Sequence, residues 1–170
     1  FSGVSFQVWD DGGTANGGVD IDPTPNSITV DVNAVNDAPV NTVPGSINVT
    51  EDVATAITGI SIADVDAASG SMLVTLSVGA GSLAATGAGG VSVGGSASAL
   101  TLAGTASDIN AFIAGSNVTY TTAADANGAV VVTLLTSDQG NTGSGGTLTD
   151  SDTVTLNITA VNDAPVLANG

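Results

Sequence analysis

The side chains that could do chemistry in this chain are carboxylates, hydroxyls and amides. Sixteen acidic residues stand beside no Lys, no Arg, no His and no Cys. The chain therefore lacks an imidazole base, a thiol nucleophile, a Schiff-base lysine and the cations that bind phosphates, so we predict no nucleic-acid partner. Oxygen atoms of carboxylates, amides and the backbone are the ligands of Ca²⁺. The composition favours calcium binding over catalysis.

The acidic residues are grouped rather than evenly spread. The groups within one stretch of the chain are Glu51-Asp52, Asp64-x-Asp66, Asp138, Asp150-x-Asp152 and Asn162-Asp163. No basic side chain can neutralise them, so they either stay hydrated or bind a cation. An Asp-x-Asp pair in a turn places two carboxylates on the same side of an extended chain, which suits one ion.

Structural roles compete with metal binding at several of these positions. Turn chemistry alone would explain Asp64-x-Asp66, and a solvated hairpin is the favoured interpretation of Asp150-x-Asp152. Asp108 is expected to cap a helix, and Asp125 to form a turn before Asn127-Gly128. Paired carboxylates could serve a glycosidase, but the sequence predicts no sugar cleft, so we predict that the chain is not an enzyme.

An internal repeat sets the organisation of the chain. The string AVNDAPV occurs at Ala34–Val40 and again at Ala160–Val166, an offset of 126 residues, and the similarity extends upstream. We therefore predict the C-terminal part of one repeat at 1–38, a complete repeat at 39–165 and the start of a third at 166–170. About 126 residues can bury a core, whereas the first 38 need strands from outside the segment.

Alternating apolar residues and Gly-rich turns predict an all-β fold. Strands are predicted at Ser46–Thr50, Ala56–Ile62, Met72–Val78, Val91–Val93, Ala99–Leu102, Asn117–Thr121, Ala129–Thr136 and Asp152–Val161. The exception is Ser107–Ala114, where Ile109, Phe112 and Ile113 share one helical face and Ser107 or Asp108 could cap. Trp9, Phe1 and Phe6 are expected in a core. The whole predicts an Ig-like or cadherin-like Greek-key β-sandwich with one short helix per repeat.

Three motifs carry a resemblance to a known family. The VNDAPV linker, TED at Thr50–Asp52 and ADVDA at Ala63–Ala67 are similar to the cadherin-like tandem repeats of giant bacterial secreted surface proteins, including RTX-type adhesins and VCBS-like proteins. The similarity continues through Leu100–Thr121 and Asp150–Pro165, so it covers essentially the whole chain.

The resemblance implies calcium at the junctions between repeats. The implied ligands at the first junction are Asn36 and Asp37 from the linker, Asp64 and Asp66 from the complete repeat, Glu51 or Asp52 as further candidates, and Asp11 from the preceding repeat. At the next junction they are Asn162, Asp163 and Asp138.

The function implied is a calcium-stiffened spacer in an extracellular adhesin or filament. Its partners would be neighbouring repeats of the same or identical chains, with a surface or matrix ligand bound elsewhere in the protein. Two alternatives stay open: a sheath or surface-layer subunit completed by a neighbouring chain's strands, and a glycan-binding repeat.

The sequence holds no apolar run long enough to span a membrane and begins without a signal-peptide pattern, and we predict an extracellular location.

Overall fold

The computed structural model describes residues 2–165. The chain divides into two compact units, the first ending at Ala34 and the second beginning at Val35. The linker sequence VNDAP thus lies wholly in the second unit, whereas the repeat pattern predicts a boundary after residue 38. The two units are described separately.

The first unit is a β-hairpin with a long connection. Strand β1 (Ser2–Phe6) pairs antiparallel with β2 (Asn26–Val30), and the connection contains a single 3₁₀ turn at Ala15–Gly17. A further bridge joins Trp9 to Ile21. The core positions predicted for Phe6 and Trp9 are not buried here, since the two side chains are 42% and 75% exposed. Phe1 lies outside the described residues.

The second unit contains eleven of the described strands and one helix. They are β3 (Val40–Thr42), β4 (Ser46–Thr50), β5 (Thr55–Ala56), β6 (Ser61–Ala63), β7 (Met72–Val78), β8 (Ser82–Ala85), β9 (Ser92–Ser96), β10 (Ala99–Gly104), α1 (Ala106–Ala114), β11 (Val118–Thr121), β12 (Gly128–Ser137) and β13 (Thr149–Thr159). The all-β fold with one short helix is confirmed. Its Greek-key connectivity stays a prediction.

These strands form three sheets. The largest has the order β4-β13-β12-β7-β10-β9, and a three-stranded sheet has the order β5-β11-β8. Strands β3 and β6 form a separate pair. All described strand pairs within the unit are antiparallel except that of β13 with β4, which is parallel.

One hydrophobic core joins the two larger sheets. Strand β7 alternates strictly between buried and half-buried residues, as a strand with one face on a core must. Leu76 of β7 and Leu134 of β12 meet Tyr120 of the smaller sheet in a single buried cluster. The Tyr120 hydroxyl donates a hydrogen bond to the Ala80 carbonyl oxygen at 3.0 Å, so its polar end is satisfied. Two sheets sharing one core make this unit a β-sandwich.

Helix α1 buries the predicted face and begins earlier than predicted. Ile109, Phe112 and Ile113 are all buried. The residue that caps the helix is Thr105, not Ser107 or Asp108. Thr105 has an extended backbone, its hydroxyl oxygen accepts from the Asp108 amide at 3.1 Å, and the hydroxyl donates to the Asp108 carboxylate at 2.8 Å. Asp108, at the third helical position, therefore pairs reciprocally with Thr105, as in a capping box except that the Thr105 hydroxyl, not its backbone amide, donates to the carboxylate.

One predicted strand is two separate strands. The alternation across Ala56–Ile62 predicts a single strand, but β5 ends at Ala56 and β6 begins at Ser61. Gly59 between them has a φ of +78°, a left-handed conformation that ends the extended run. Because the two halves join different sheets, the chain crosses from one sheet to another at this point.

Candidate metal sites at the linker and at the strand ends

The linker runs along the loop that follows β12 in the second unit. Val35 forms a parallel bridge with Ser144, and the Asn36 amide donates to the Ser144 carbonyl oxygen at 3.0 Å. A Cβ atom on Gly143 would lie 2.6 Å from the Val35 carbonyl carbon, so no larger residue fits there. The loop that follows β12 therefore holds the linker by its backbone.

Asn36 is one of the two buried residues of this linker, together with Pro39. It is 5% exposed, and its side-chain amide donates to Asp138 Oδ2 at 2.5 Å and to the Gly146 carbonyl oxygen at 2.8 Å. Both donor positions of the amide are thereby used. Its Oδ1 atom is buried and has no hydrogen-bond partner. A buried acceptor oxygen without a hydrogen bond destabilises the folded state unless a bound water molecule or ion contacts it.

Asp138 anchors the linker. It is fully buried, and its Oδ1 accepts from the Gly140 and Leu148 amides, both at 2.8 Å. Burial acts to raise the pKa of Asp138, but these amides and Asn36 outweigh it, and the pKa lies below its usual value. The resemblance implies Asp138 at the following junction with Asn162 and Asp163, whereas the structure places it at the preceding linker. Its bonded oxygens give it a structural role there.

The Asp64-x-Asp66 loop adjoins the same linker. Asp64 Oδ1 accepts from the Asp66 and Ala67 amides, each at 3.1 Å, and Asp66 Oδ2 accepts from the Asp37 amide at 2.9 Å. The other oxygens, Asp64 Oδ2 and Asp66 Oδ1, are buried without hydrogen-bond partners. Burial, reinforced by the Asp66 carboxyl group, raises the pKa of Asp64. Two carboxylates are thus held close together with one oxygen of each unused.

We call Asn36, Asp37, Asp64 and Asp66 the linker cluster, because Asn36 and Asp37 are neighbours in the linker and the Asp37 amide donates to Asp66. Three buried acceptors without partners come from three of its side chains. Within residues 2–165, no group of three or more His, Cys, Asp or Glu is arranged to hold a metal. A site here would therefore combine two carboxylates with the Asn36 amide oxygen, and backbone carbonyls or water would complete the shell.

A second acidic group surrounds the end of β13. Glu51 is 1% exposed, its amide donates to the Thr159 carbonyl oxygen at 3.0 Å, and its Oε2 accepts from the Val161 amide at 3.0 Å. Its Oε1 is buried without a hydrogen-bond partner. Desolvation raises the pKa of Asp163, and the charges of Asp52, Asp125 and Glu51 raise it further. We call Glu51, Asp52, Asp125 and Asp163 the strand-end cluster.

Asp125 is a member of this cluster that the sequence assigns to a turn. It has a left-handed backbone, with a φ of +55°, as a turn residue does, and its carboxyl group also reaches Asp163. The predicted ligand Asn162, by contrast, is exposed and donates only to the Asp163 carbonyl oxygen, at 3.3 Å. No local pattern connects residues 125 and 163, so only the three-dimensional fold reveals the contact.

Asp150 differs from its predicted role as a solvated hairpin residue. Its Oδ2 accepts from the Asn41 amide at 2.7 Å, which ties β3 to the start of β13. Thr136 donates to the Asn41 side-chain oxygen at 2.6 Å in the same network. Asp150 is therefore a structural acceptor beside the linker.

In the first unit, Asp10 rather than Asp11 has the position equivalent to Asp138. The Asp10 amide donates to the Asp20 carbonyl oxygen at 3.0 Å, and Asp10 Oδ1 accepts from the Gly12 amide at 2.9 Å. Asp138 makes the same two bonds, with Leu148 and Gly140. Asp11, the candidate ligand in this unit, is exposed.

Comparisons with known proteins add no identification. Neither the known protein-family models nor the curated proteins include a match to this chain. Among the described residues, no helix is both long and apolar enough to cross a membrane.

Proposed function

We propose that this chain is part of a calcium-stiffened tandem-repeat protein, a rigid extracellular spacer in an adhesin or filament. The observation that carries the proposal is the set of buried oxygens without partners in the linker cluster: Asn36 Oδ1, Asp64 Oδ2 and Asp66 Oδ1. The chain has no Lys, Arg or His that could neutralise them. A bound divalent cation would both neutralise the carboxylates and complete their coordination.

The two clusters suggest how an ion would stiffen the molecule. In the linker cluster, Asp37 follows the buried Asn36 and its amide already contacts Asp66, so an ion here would fasten the linker to the repeat that follows. In the strand-end cluster, Glu51 holds Val161 and Asp163 lies near Asp52, so an ion here would fasten the next linker to the repeat that precedes it. Repeated along a polymer, each linker would be held from both sides.

A calcium titration tests this proposal. We expect millimolar Ca²⁺ to raise the melting temperature over that in EGTA. At a concentration of about 100 times Kd the gain is about 2.7 kcal/mol, which corresponds to about 5–10 °C for a chain of this size. The double substitution Asp64→Asn and Asp66→Asn should remove most of the gain.

The control removes the same two charges elsewhere. Asp31→Asn with Asp152→Asn lies outside both clusters and should keep the calcium response. An unchanged melting temperature of the parent chain in Ca²⁺, or an equal loss in both double variants, would refute a specific site in the linker cluster.

A second candidate function, glycan binding, is favoured by one surface of the first unit. Trp9 is 75% exposed and lines a shallow hollow with Asp10, Asp11 and Asp20. An exposed aromatic ring can stack on a sugar, and carboxylates beside it can accept hydrogen bonds from the sugar hydroxyls. Binding of neutral oligosaccharides that Trp9→Ala abolishes would support this function, and absence of binding at millimolar sugar would exclude it.

A further inference from the structure

The hairpin of the first unit matches β12 and β13 residue for residue. In β1–β2, Phe6 lies opposite Asn26 and Ser2 opposite Val30. In β12–β13, Leu134 lies opposite Asp152 and Val130 opposite Leu156. Adding 128 to a β1 number and 126 to a β2 number therefore gives the counterpart in the second unit. The shared bonds of Asp10 and Asp138 extend the match beyond the strands.

The matched apolar positions differ sharply in burial. Four hairpin side chains are 42–58% exposed, whereas their counterparts are at most 1% exposed. The pairs are Val4 and Val132, Phe6 and Leu134, Ile28 and Val154, and Val30 and Leu156. All four exposed side chains lie on one face, since they alternate along each strand. The hairpin thus presents the inner face of a sandwich sheet without the rest of the core.

The second unit shows what covers such a face. The side chains that join Leu134 and Leu156 in the core come largely from the preceding part of the repeat, including Ile57, Leu83, Ile109 and Tyr120. A second copy of this chain has no such segment free, because its own β12 and β13 already cover residues 39–128.

We propose that the exposed face of the hairpin is a docking surface for a segment equivalent to residues 39–128, carried on the polypeptide directly before Phe1. The two pieces together form one sandwich of the same design as the second unit. This inference rests on register and burial, not on calcium, so it can fail or succeed independently of the proposed function.

The test restores the missing part. A copy of residues 39–128 is placed directly before Phe1 of the full chain, and amide hydrogen exchange is measured with EGTA present. We expect exchange at Val4 and Ile28 to slow by about 100-fold or more relative to the unextended chain. Ile28→Asp in the extended chain should cancel this protection, whereas Thr29→Asp on the opposite face should retain it. Unchanged exchange of the second unit shows that each variant is folded there.

Two results would overturn the proposal. One is exchange in the hairpin that stays as fast in the extended chain as in the unextended one. The other is concentration-dependent dimerisation of the unextended chain that protects Val4 and is abolished by Ile28→Asp. That second result would make a second copy the occupant and would support the alternative of a subunit completed by a neighbouring chain.

Discussion

At the scale of single residues, the linker depends on one buried carboxylate. Asp138 accepts hydrogen bonds from two backbone amides of the loop after β12 and from the Asn36 side chain of the linker. A buried acid that accepts three hydrogen bonds is stabilised as an anion without any cation. This separates Asp138 from Asp64 and Asp66, each of which has one buried oxygen without a hydrogen-bond partner.

We expect Asp138→Ala to destabilise the second unit by about 3 kcal/mol or more. The substitution removes the acceptor of the buried Asn36 side-chain amide and of the part-buried Gly140 and Leu148 amides, and a buried donor left without an acceptor costs about 1–3 kcal/mol. Urea unfolding measures the loss. Asp31→Ala, at an exposed acid of the first unit, should change stability by less than about 0.5 kcal/mol. Equal effects of the two substitutions would contradict the anchoring role.

The raised and lowered pKa values predict an unusual response to pH in EGTA. The pKa values of Asp64 and Asp163 lie above their ordinary value of 3.8, so ionising them opposes folding. Stability should therefore rise as the pH falls from 7 through these raised values. The pKa of Asp138 in the folded protein lies below 3.8. Its stabilising contribution is therefore complete above pH 3.8 and is lost as the pH falls through the lowered pKa of the folded state.

The melting temperature in EGTA should accordingly pass through a maximum at mildly acidic pH. In Ca²⁺ the trend between pH 7 and that maximum should reverse, because protons compete with the ion for Asp64. Asp64→Asn with Asp163→Asn should flatten the rise seen in EGTA. A melting temperature in EGTA that falls steadily from pH 7 downward would contradict these assignments.

At the scale of elements, local sequence patterns predicted strands and the buried helix face, but they did not predict contacts between residues far apart in the sequence. Strands β4 and β7 have the predicted bounds, and the buried face of α1 is the predicted one. The contact of Asn36 with Asp138 spans 102 residues and leaves no local pattern. Likewise, the shift from Asp11 to Asp10 follows from two residues of extra length before β2, which only strand register reveals.

The helix cap gives a prediction at this scale. Thr105→Ala removes the acceptor for the Asp108 amide and the donor to its carboxylate, and we expect a loss of about 1–2 kcal/mol in urea unfolding. Ser107→Ala, at the position the sequence suggested, should be neutral or slightly stabilising because Ala favours helix. A larger loss for Ser107→Ala would reverse the assignment of the cap.

At the scale of the whole molecule, a charge of −16 opposes compactness. Sodium chloride should raise the melting temperature modestly by screening, and to the same extent in the parent and in the Asp64→Asn, Asp66→Asn variant. Calcium chloride at equal ionic strength should raise it further in the parent only. If the two salts raised the melting temperature of the parent equally, calcium would act only by screening charge and not by binding.

The parallel pairing of β4 with β13 has a mechanical consequence. Ser46 lies opposite Thr155 and Thr50 opposite Thr159, so tension that pulls the start of β4 away from the end of β13 slides the strands along each other. Their hydrogen bonds then resist in shear, all at once. Pulling on Gly128 and Thr159 would instead unzip the antiparallel β12–β13 pair bond by bond. In single-molecule stretching we expect the first geometry to need the larger force, and equal forces would contradict it.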